Sequence, residues 1–359
     1  MSTITPIADL EQIEAFTFKF AGDLAAVAHA ATVVLGDKLG LYKALAAGGP
    51  ATPDELATAT GCDRRYLREW LLAQAASGYA EYDPSTGRFW LDAVQTACLA
   101  DDTAPTFLAG GMAVVSSMHR DEDAVRHGFV TGEGVGWHQH HHDLFTGTER
   151  FFRPSYAANL TSSWIPAVDG LEAALQRGIH VADVGCGHGS STILMAQAYP
   201  ASTFVWFDFH PESIAAACNR ATEAGVADRV RFEVASAAEF PGAGYGLVCV
   251  FDALHDVGDP TAAAAHIRAS LAADGVFLLV EPNAHDRVED NLNLVGRIFY
   301  SASTFICTPA SRSQGGADAA CLGAQAGEAT LRAVLGNAGF SSIHRATETP
   351  FNMILDVRP

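Results

Sequence analysis

VADVGCGHGSSTILMA, residues 181–196, is an apolar run that ends on a carboxylate, passes through three alternating glycines and continues as a helix-forming segment. A glycine-rich turn between a strand and a helix lets the backbone approach a ligand closely at the carboxyl edge of a sheet. We therefore predict a ligand-binding turn built from Gly185, Gly187 and Gly189, with Asp183 at the end of the preceding strand.

Downstream of this turn, apolar residues recur in short runs that are separated by alanine-rich segments of helical character. The runs occupy residues 180–184, 203–207, 230–234, 246–251 and 275–280. Alternation of buried strands with helices is typical of a mostly parallel sheet that is covered by helices on both faces. We therefore predict an α/β fold class with a Rossmann-like sheet for residues 176–359.

Three polar residues bear on which ligand the turn would bind. A dinucleotide-binding fingerprint would place Gly or Ala at position 190, where this chain has Ser190. A carboxylate at Asp183 disfavours a pyrophosphate, but it can accept hydrogen bonds, directly or through water, from the ammonium of an amino-acid moiety. Asp208, at the predicted end of the next strand, can accept hydrogen bonds from two ribose hydroxyls. The pattern disfavours a nicotinamide oxidoreductase, and a tight turn without a ligand is the structural alternative.

FDALHD, residues 251–256, follows the fourth predicted strand and places His255 at the edge of the sheet where ligands bind. A hydroxyl is a poor nucleophile until a base takes its proton, and neutral imidazole suits that task near neutral pH. We predict that His255 is a general base. A helix-capping or purely structural histidine is the alternative, because an enzyme can also accelerate a reaction by holding the reactants close together and aligned, without a base.

Four motifs in order, DVGCGHG, WFDF, FDALHD and LLVEP, resemble those of the class I S-adenosylmethionine-dependent methyltransferases. With residues 30–105 included, the chain resembles the winged-helix dimeric small-molecule O-methyltransferases. The resemblance implies a seven-stranded sheet, S-adenosyl-L-methionine as cofactor and a homodimer. It also implies that Asp183 and the three glycines hold the methionine end of the cofactor and that Asp208 holds its ribose.

The same resemblance implies further cofactor contacts. After the third strand the family usually has an acidic residue near the adenine, whereas this chain has Ser236 and Ala237. A side-chain or backbone hydrogen bond would have to substitute for that carboxylate. Phe209, Phe251 and Asp252 belong to the matched motifs and are expected to contact the cofactor as well.

The resemblance also implies catalytic roles, because the H-D pair stands where the family has its catalytic histidine. Glu281, which closes the fifth strand, and Glu328, ahead of the following helix, match the two glutamates that flank this histidine. In the family a tryptophan usually follows H-D, whereas this chain has Val257. The family's substrates are therefore a poorer guide to the substrate of this chain than its catalytic histidine is to the base. We expect methyl transfer to a small apolar or aromatic metabolite, at a hydroxyl in preference to nitrogen or carbon.

The first part of the chain, residues 1–105, is predicted to be a helical and winged-helix domain. A helix interrupted around Gly36 and Gly40 precedes a helix that Thr52 can cap. The four elements in order are a helix over 20–45, a helix from 53, a helix over 64–76 and a hairpin around 84–87. Three helices followed by a hairpin are the order of a winged helix, which can bind DNA.

The charge of the chain argues against nucleic acid as a partner. Residues 30–105 contain six basic and ten acidic residues, and the whole chain has a net charge of −19. The apolar N-terminal helices exceed what a small winged helix needs to bury, which favours a homodimer. A winged-helix regulator that binds S-adenosylmethionine without catalysis is the alternative function.

Residues 106–175 are predicted to be a helical linker that also forms part of a lid over the ligand. Imidazoles bind metals, but adjacent histidines in a glycine-rich loop rarely aim at one point, so we predict no metal site at residues 138–142. The segment 297–309 is predicted to be an inserted helix and loop over the acceptor pocket. Its aromatic residues, Phe299, Tyr300 and Phe305, suit an apolar or aromatic acceptor.

The seven cysteines are scattered and never spaced C-x-x-C, so we expect reduced thiols and neither a disulfide framework nor a structural zinc site. The N-terminal segment carries acids where a signal peptide needs basic residues and an apolar run. We find no 18-residue apolar stretch anywhere in the chain and therefore expect a cytoplasmic protein without a membrane span.

Overall fold

The computed structural model describes residues 9–359, which divide into two units with the chain boundary between Ser116 and Ser117. Residues 1–8, which contributed to the expectation of no signal peptide, lie outside the described residues. Within the first unit, the elements are α1 (Leu10–Lys38), α2 (Leu41–Gly48), α3 (Pro53–Thr60), α4 (Arg64–Ala76), β1 (Glu81–Asp83), β2 (Arg88–Trp90) and α5 (Ala93–Leu99).

The winged-helix order of the first unit is confirmed, and local capping explains where its helices begin. The Thr52 side chain accepts a hydrogen bond from the Glu55 backbone N–H, and the Thr52 backbone N–H donates to the Glu55 carboxylate, which sets the start of α3. The Asp63 side chain caps α4 by accepting from the backbone N–H groups of Arg65 and Tyr66, and β1 pairs antiparallel with β2. These elements pack around a core that includes Leu41, Tyr42 and Leu71.

Two details of the first helix differ from the sequence prediction. The helix begins at Leu10 and continues through Gly36 without a break. Glycine stands at position 36 because a Cβ there would lie 2.4 Å from the Trp70 ring. Only glycine allows that close approach of α4. The single interruption in this region is at Gly40, whose φ of 68° favours glycine.

Helix α1 is long and apolar enough to cross a membrane by length and composition, with a mean hydropathy of 1.4 over 18 residues. The expectation that no such stretch exists is therefore wrong, because the alanines between the larger apolar residues keep the window apolar. One such helix near an N-terminus is weak evidence for a membrane span. Only 17% of this window is buried, and apolar side chains such as Phe16, Phe20 and Leu24 are exposed.

The segment predicted to be a linker is mainly helical. Its elements are α6 (Ala109–Arg120), α7 (Glu122–Thr131), a 3-10 turn (Trp137–Gln139), α8 (Asp143–Asn159), a π-helical turn (Leu160–Trp164) and α9 (Leu171–Arg177). The histidine-rich stretch forms the short connection before α8, where His140 Nδ1 lies 2.8 Å from Asp121 Oδ2.

The rest of the second unit is an α/β domain, as predicted. Its strands are β3 (His180–Val184), β4 (Thr203–Asp208), β5 (Val230–Val234), β6 (Tyr245–Phe251), β7 (Leu271–Pro282), β8 (Ser342–Glu348) and β9 (Asn352–Arg358). Its helices are α10 (Ser190–Ala198), α11 (Pro211–Glu223), α12 (Pro260–Ser270), α13 (Leu294–Ala302), α14 (Thr308–Gly315) and α15 (Glu328–Asn337). The inserted segment is α13, a π-helical turn (Ser303–Cys307) and α14.

The seven strands form one sheet in the order β5-β4-β3-β6-β7-β9-β8, in which the pairs from β5 to β7 are parallel and those with β9 are antiparallel. Buried apolar clusters cover both faces. The strand order reverses between β3 and β6, so their carboxyl ends flank a crevice. Ligands bind at such switch points in open α/β sheets.

Candidate active site

A cavity of about 320 Å³ lies at the carboxyl ends of the central strands. Its walls come from the glycine turn, the ends of β4, β5 and β6, and helix α8. The structure brings eight of the predicted cofactor residues to this cavity: Gly185, Gly187, Asp208, Phe209, Ser236, Ala237, Phe251 and Asp252. Small-molecule sites typically measure about 300–1,000 Å³, so the cavity is of suitable size.

The glycines of the turn play different structural parts. Gly187 has a φ of 52°, and no atom lies within 4 Å of where its Cβ would be, so this position leaves open space for a ligand. At Gly189 a Cβ would lie 1.8 Å from the Trp206 ring. Gly189 therefore allows α10 to pack closely against β4, and Gly187 keeps the space beside the turn open to the cavity.

We predict that Gly189→Ala lowers the free energy of unfolding by about 2–4 kcal/mol, because it adds overpacking against Trp206 to the strain of a positive φ. Gly187→Ala is the matched control: it carries the positive φ without the clash, at about 1–2 kcal/mol. Denaturant unfolding measures both. Equal losses for the two variants would contradict the packing role of Gly189.

Asp208 ends β4 at the cavity with its carboxylate held by backbone donors. Gly187 N donates to Oδ2 and His210 N donates to Oδ1, each at 2.9 Å. Burial raises the pKa of this carboxyl, and the backbone hydrogen bonds oppose that shift. The two contacts orient the carboxylate and leave each oxygen a lone pair for a further donor.

Asp183 lies deeper than the sequence suggested and does not line the cavity. It is fully buried, and its Oδ2 accepts hydrogen bonds from the hydroxyls of Ser191 and Thr192. Burial raises the pKa of Asp183 to about 6, which these two hydroxyls partly counteract. Its Oδ1 has no hydrogen-bond partner. In this position Asp183 lies below the glycine turn and links the end of β3 to the first residues of α10 through these hydrogen bonds.

His255 and Glu281 form a buried pair next to the cavity. His255 Nδ1 lies 2.5 Å from Glu281 Oε2, and Leu254 N donates to the other carboxylate oxygen at 2.9 Å. Burial disfavours a charged ring, but the carboxylates of Glu281 and Asp256 outweigh it and raise the pKa of His255 well above its ordinary value. The predicted contact of His255 with Glu281 is thus present in the structure.

The second predicted flank, Glu328, is a correction. Glu328 Oε2 accepts from Arg345 Nε and its Oε1 from Arg332 Nε, each at 2.7 Å, because α15 begins at this residue beside β8. The second carboxylate near the histidine ring belongs to Asp256, whose Oδ1 lies 3.3 Å from Nε2. Asp256, which directly follows His255 in the chain, thus lies beside the ring where Glu328 was expected.

The aromatic walls of the cavity also differ from the prediction. Phe299, Tyr300 and Phe305 of the inserted segment do not line it. The lining aromatics of the linker are Trp137, Phe145, Phe152 and Tyr156. The helical linker therefore contributes directly to the site, which the irregular sequence pattern around 132–145 did not reveal.

Sequence reasoning missed the contacts that hold Asp252. Tyr156 Oη donates to Asp252 Oδ2 at 3.1 Å, and Asn352 Nδ2 donates to Oδ1 at 2.7 Å. Burial raises the pKa of Asp252 to about 8, with a further contribution from the charge of Glu281. The φ of 49° at Asp252 is a strained backbone conformation at the edge of the cavity.

Glu149 of α8 was also missed as a cavity residue. It accepts a hydrogen bond from Ser190 Oγ at 2.7 Å and pairs with Arg220 Nη2 at 2.6 Å. The positive φ at Asp252 and the contacts between α8 and the glycine turn have no local sequence signal, because they depend on residues far apart in the chain.

Comparison with known proteins gives two family matches. Residues 175–325 match the family described as "Methyltransferase domain", and residues 26–101 match the "Rv2258c-like winged HTH domain". An uncharacterised protein of Synechococcus sp. is 33% identical over 100 residues, and the matched stretch is 24% of that relative's length.

Solved structures of three O-methyltransferase-like proteins have a similar fold over nearly the whole chain. A putative O-methyltransferase of Nostoc punctiforme has a TM-score of 0.72 at 17% identity, covering 99% of this chain and 100% of that one. Human N-acetylserotonin methyltransferase, solved with S-adenosylmethionine, has a TM-score of 0.68 at 16% identity and 99% coverage of both chains.

The third is NcsB1, an O-methyltransferase from neocarzinostatin biosynthesis, solved with S-adenosylmethionine and 2-hydroxy-5-methyl naphthoic acid. Its TM-score is 0.61 at 20% identity, with 92% of this chain and 95% of that chain covered. These likenesses show a shared fold. Most residues that line the cavity at the carboxyl ends of the central strands belong to the range that matches the methyltransferase domain. Residues 26–101 therefore form a winged helix-turn-helix domain and residues 175–325 a methyltransferase domain, each by its own family match.

Proposed function

We propose that this protein transfers a methyl group from S-adenosyl-L-methionine to a hydroxyl of a small apolar or aromatic metabolite, with His255 as general base. The single observation that carries this proposal is the buried His255–Glu281 pair beside the cavity that the glycine turn and Asp208 form. Three residues of the pair's surroundings, Asp252, Asp256 and Leu254, line that cavity.

The residues at the cavity fit the cofactor. The open space at Gly187 admits a ligand against the backbone, and the Asp208 carboxylate is oriented to accept hydrogen bonds from ribose hydroxyls. Phe209, Ser236 and Ala237 supply an apolar and weakly polar wall where an adenine would lie. When bound, S-adenosyl-L-methionine supplies an electrophilic methyl group on a sulfonium.

Glu281 is a positioning residue for the base. When the ring is neutral, Glu281 Oε2 accepts from Nδ1 and Nε2 can take the proton of the acceptor hydroxyl. Because the pKa of His255 is raised, the neutral form is favoured only at a pH above that raised value. Leu254 N fixes the other oxygen of Glu281, so the carboxylate cannot turn away from the ring. Carboxylates beside the imidazole also stabilise its charged form after it has taken the proton.

The chemistry of the acceptor follows from the cavity walls. Trp137, Phe145 and Phe152 are aromatic, and aromatic walls favour flat apolar ligands. NcsB1, which has a similar fold, was solved in complex with a naphthoic acid, a flat aromatic ligand of this kind. These features support a small aromatic hydroxyl compound as the acceptor class.

We also propose that the protein is a cytoplasmic homodimer that does not bind nucleic acid. Exposed apolar side chains along α1 support a second copy as their partner, and free thiols at all seven cysteines support a reducing compartment. The arginines at the start of α4 lie against acids, with Arg64 Nε 3.2 Å from Asp54 and Arg68 Nη1 3.3 Å from Glu69, which supports the absence of a DNA surface.

The experiment that tests the cofactor assignment is calorimetric titration with S-adenosylmethionine, S-adenosylhomocysteine and NAD, followed by an acceptor screen with mass detection. We expect saturable binding of the two adenosyl compounds, no binding of NAD, and a mass gain of one methyl group on hydroxylated aromatic acceptors. Product methylated only at nitrogen or carbon would contradict the oxygen assignment, and no adenosyl binding would contradict the cofactor.

A further inference from the structure

Next to the cofactor cavity, three buried side chains bring three different kinds of donor atom together. His255 and Asp256 lie in a 3-10 turn (Leu254–Asp256), and Cys307 ends the π-helical turn of the inserted segment. Their exposed fractions are 4%, 7% and 5%. A ring nitrogen, a carboxylate oxygen and the Sγ lie within 4.8 Å of one another.

Two of these donor atoms, His255 Nε2 and Asp256 Oδ1, face each other, and a proton or a metal ion has to lie between them. Since Glu281 accepts from Nδ1, the Nε2 of His255 points toward Asp256 Oδ1, which lies 3.3 Å away. Asp256 Oδ1 is buried and has no hydrogen-bond partner. A ring lone pair opposite a carboxylate oxygen is unfavourable unless a cation lies between them. A second ring proton can supply that charge, and a metal ion can replace the proton.

We propose that His255, Asp256 and Cys307 bind a divalent transition-metal ion, Zn²⁺ being the best match. Sulfur, nitrogen and oxygen donors together suit Zn²⁺ or Co²⁺, whereas Mg²⁺ and Ca²⁺ require oxygen donors. Glu281 is the carboxylate that a metal-binding histidine usually has at its other ring nitrogen. Three protein ligands leave a fourth coordination position. On binding, the Cys307 thiol and the ring release their protons to solvent.

The site bears on the reaction, and this step rests on the proposed function. A metal ion on Nε2 uses the lone pair that would otherwise take the proton of the acceptor hydroxyl. Metal binding and base catalysis at His255 therefore exclude each other, and the bound ion inhibits methyl transfer reversibly.

A second group of potential ligands, His141, His142 and Asp143, is less suited to a cation. The Arg120 guanidinium contacts the His141 ring and lies 3.3 Å from Asp143 Oδ2, so a positive charge already occupies that place. This group provides an internal control for adventitious binding by surface histidines.

The test is titration of the chelator-treated, reduced protein with Co²⁺, followed by the thiolate-to-cobalt charge-transfer absorption in the near ultraviolet. We expect one equivalent to give that band, Cys307→Ser to abolish it and weaken binding at least about 10- to 100-fold, and His141→Ala/His142→Ala to leave it unchanged. Retained binding of S-adenosylmethionine shows that the serine variant is folded. Absence of a thiolate band, or an unchanged band in Cys307→Ser, would overturn the proposed site.

Activity separates the metal site from the proposed function. We expect one equivalent of Zn²⁺ to suppress methyl transfer, a chelator to restore it, and Cys307→Ser to be much less sensitive relative to its own metal-free rate. If cobalt binds through Cys307 while methyl transfer persists in the metal-loaded protein, the metal site stands and the role of His255 as base is overturned.

Discussion

Replacing His255 with alanine is expected to lower the rate of methyl transfer by about 10²- to 10⁴-fold, the usual contribution of a general base. Affinity for S-adenosylmethionine is expected to stay within about twofold, since His255 itself does not line the cofactor cavity. The measurements are single-turnover transfer to an identified acceptor and calorimetric titration of the cofactor. The ratio of the two effects separates loss of the base from loss of the site.

The variant removes the partner of a buried carboxylate, so its stability has to be measured alongside its activity. Glu281 is 1% exposed and would be left without the ring in His255→Ala, which destabilises the fold. His255→Asn keeps a polar group near Glu281 and serves as the second variant. A folded, cofactor-binding His255→Asn protein with wild-type turnover on its acceptor would leave His255 with a structural role only.

Glu281→Gln is the matched control for positioning. Glutamine keeps one acceptor oxygen, for either Nδ1 or Leu254 N, and removes the charge, so we expect a smaller loss of rate than for His255→Ala. Glu328→Gln should change the rate little, because the Glu328 carboxylate bonds Arg332 and Arg345 and not the histidine ring.

The second large effect is expected for Asp208→Ala, which should weaken binding of S-adenosylmethionine by about 10²- to 10⁴-fold. Each hydrogen bond from a ribose hydroxyl to a charged carboxylate contributes about 1.5–3 kcal/mol, and 1.4 kcal/mol corresponds to a factor of ten. Calorimetric titration of both adenosyl ligands measures the loss directly. Saturating cofactor should restore turnover, because Asp208 does not contact the His255–Glu281 pair.

Two further variants interpret that loss. Asp208→Asn can still accept one hydrogen bond through its side-chain oxygen and should fall between alanine and wild type. Glu212→Gln, in the exposed first turn of α11, removes a nearby negative charge without touching the cavity. Unchanged cofactor affinity in Asp208→Ala would contradict the ribose contact, and equal losses in Asp208→Ala and Glu212→Gln would assign the effect to charge alone.

The strands and the glycine turn of the α/β domain could be predicted well, because the sequence patterns that indicate them involve residues close together in the chain. Strands β3 and β5 have the predicted bounds, since short apolar runs between helical segments have few other solutions. The glycine turn is equally local, because a positive φ selects glycine whatever packs against it. The neighbourhood of His255 and Glu281 follows from β6 and β7 being adjacent parallel strands, whose carboxyl ends meet at one edge.

The predictions that failed depend on contacts between distant residues. Gly36 looked like a helix break, but the Trp70 ring occupies the space of its missing side chain. Glu328 matched a family position in the sequence, but arginines of α15 and β8 hold its carboxylate. The aromatic residues of the inserted segment suited a pocket, yet Trp137 and the aromatic residues of α8 line the cavity in their place.

By itself, then, the sequence determined the α/β class, the place of the glycine turn, Asp208 as the candidate ribose contact and His255 as the candidate base, because periodicity, turn chemistry and motif order are properties of neighbouring residues. Only the tertiary structure decided that Asp183 lies beneath the turn, that Asp256 takes the place expected for Glu328, and that Cys307 lies beside His255. The physical reason is that packing of the inserted segment and of α8 onto the strand ends chooses these partners, and no local pattern records that packing.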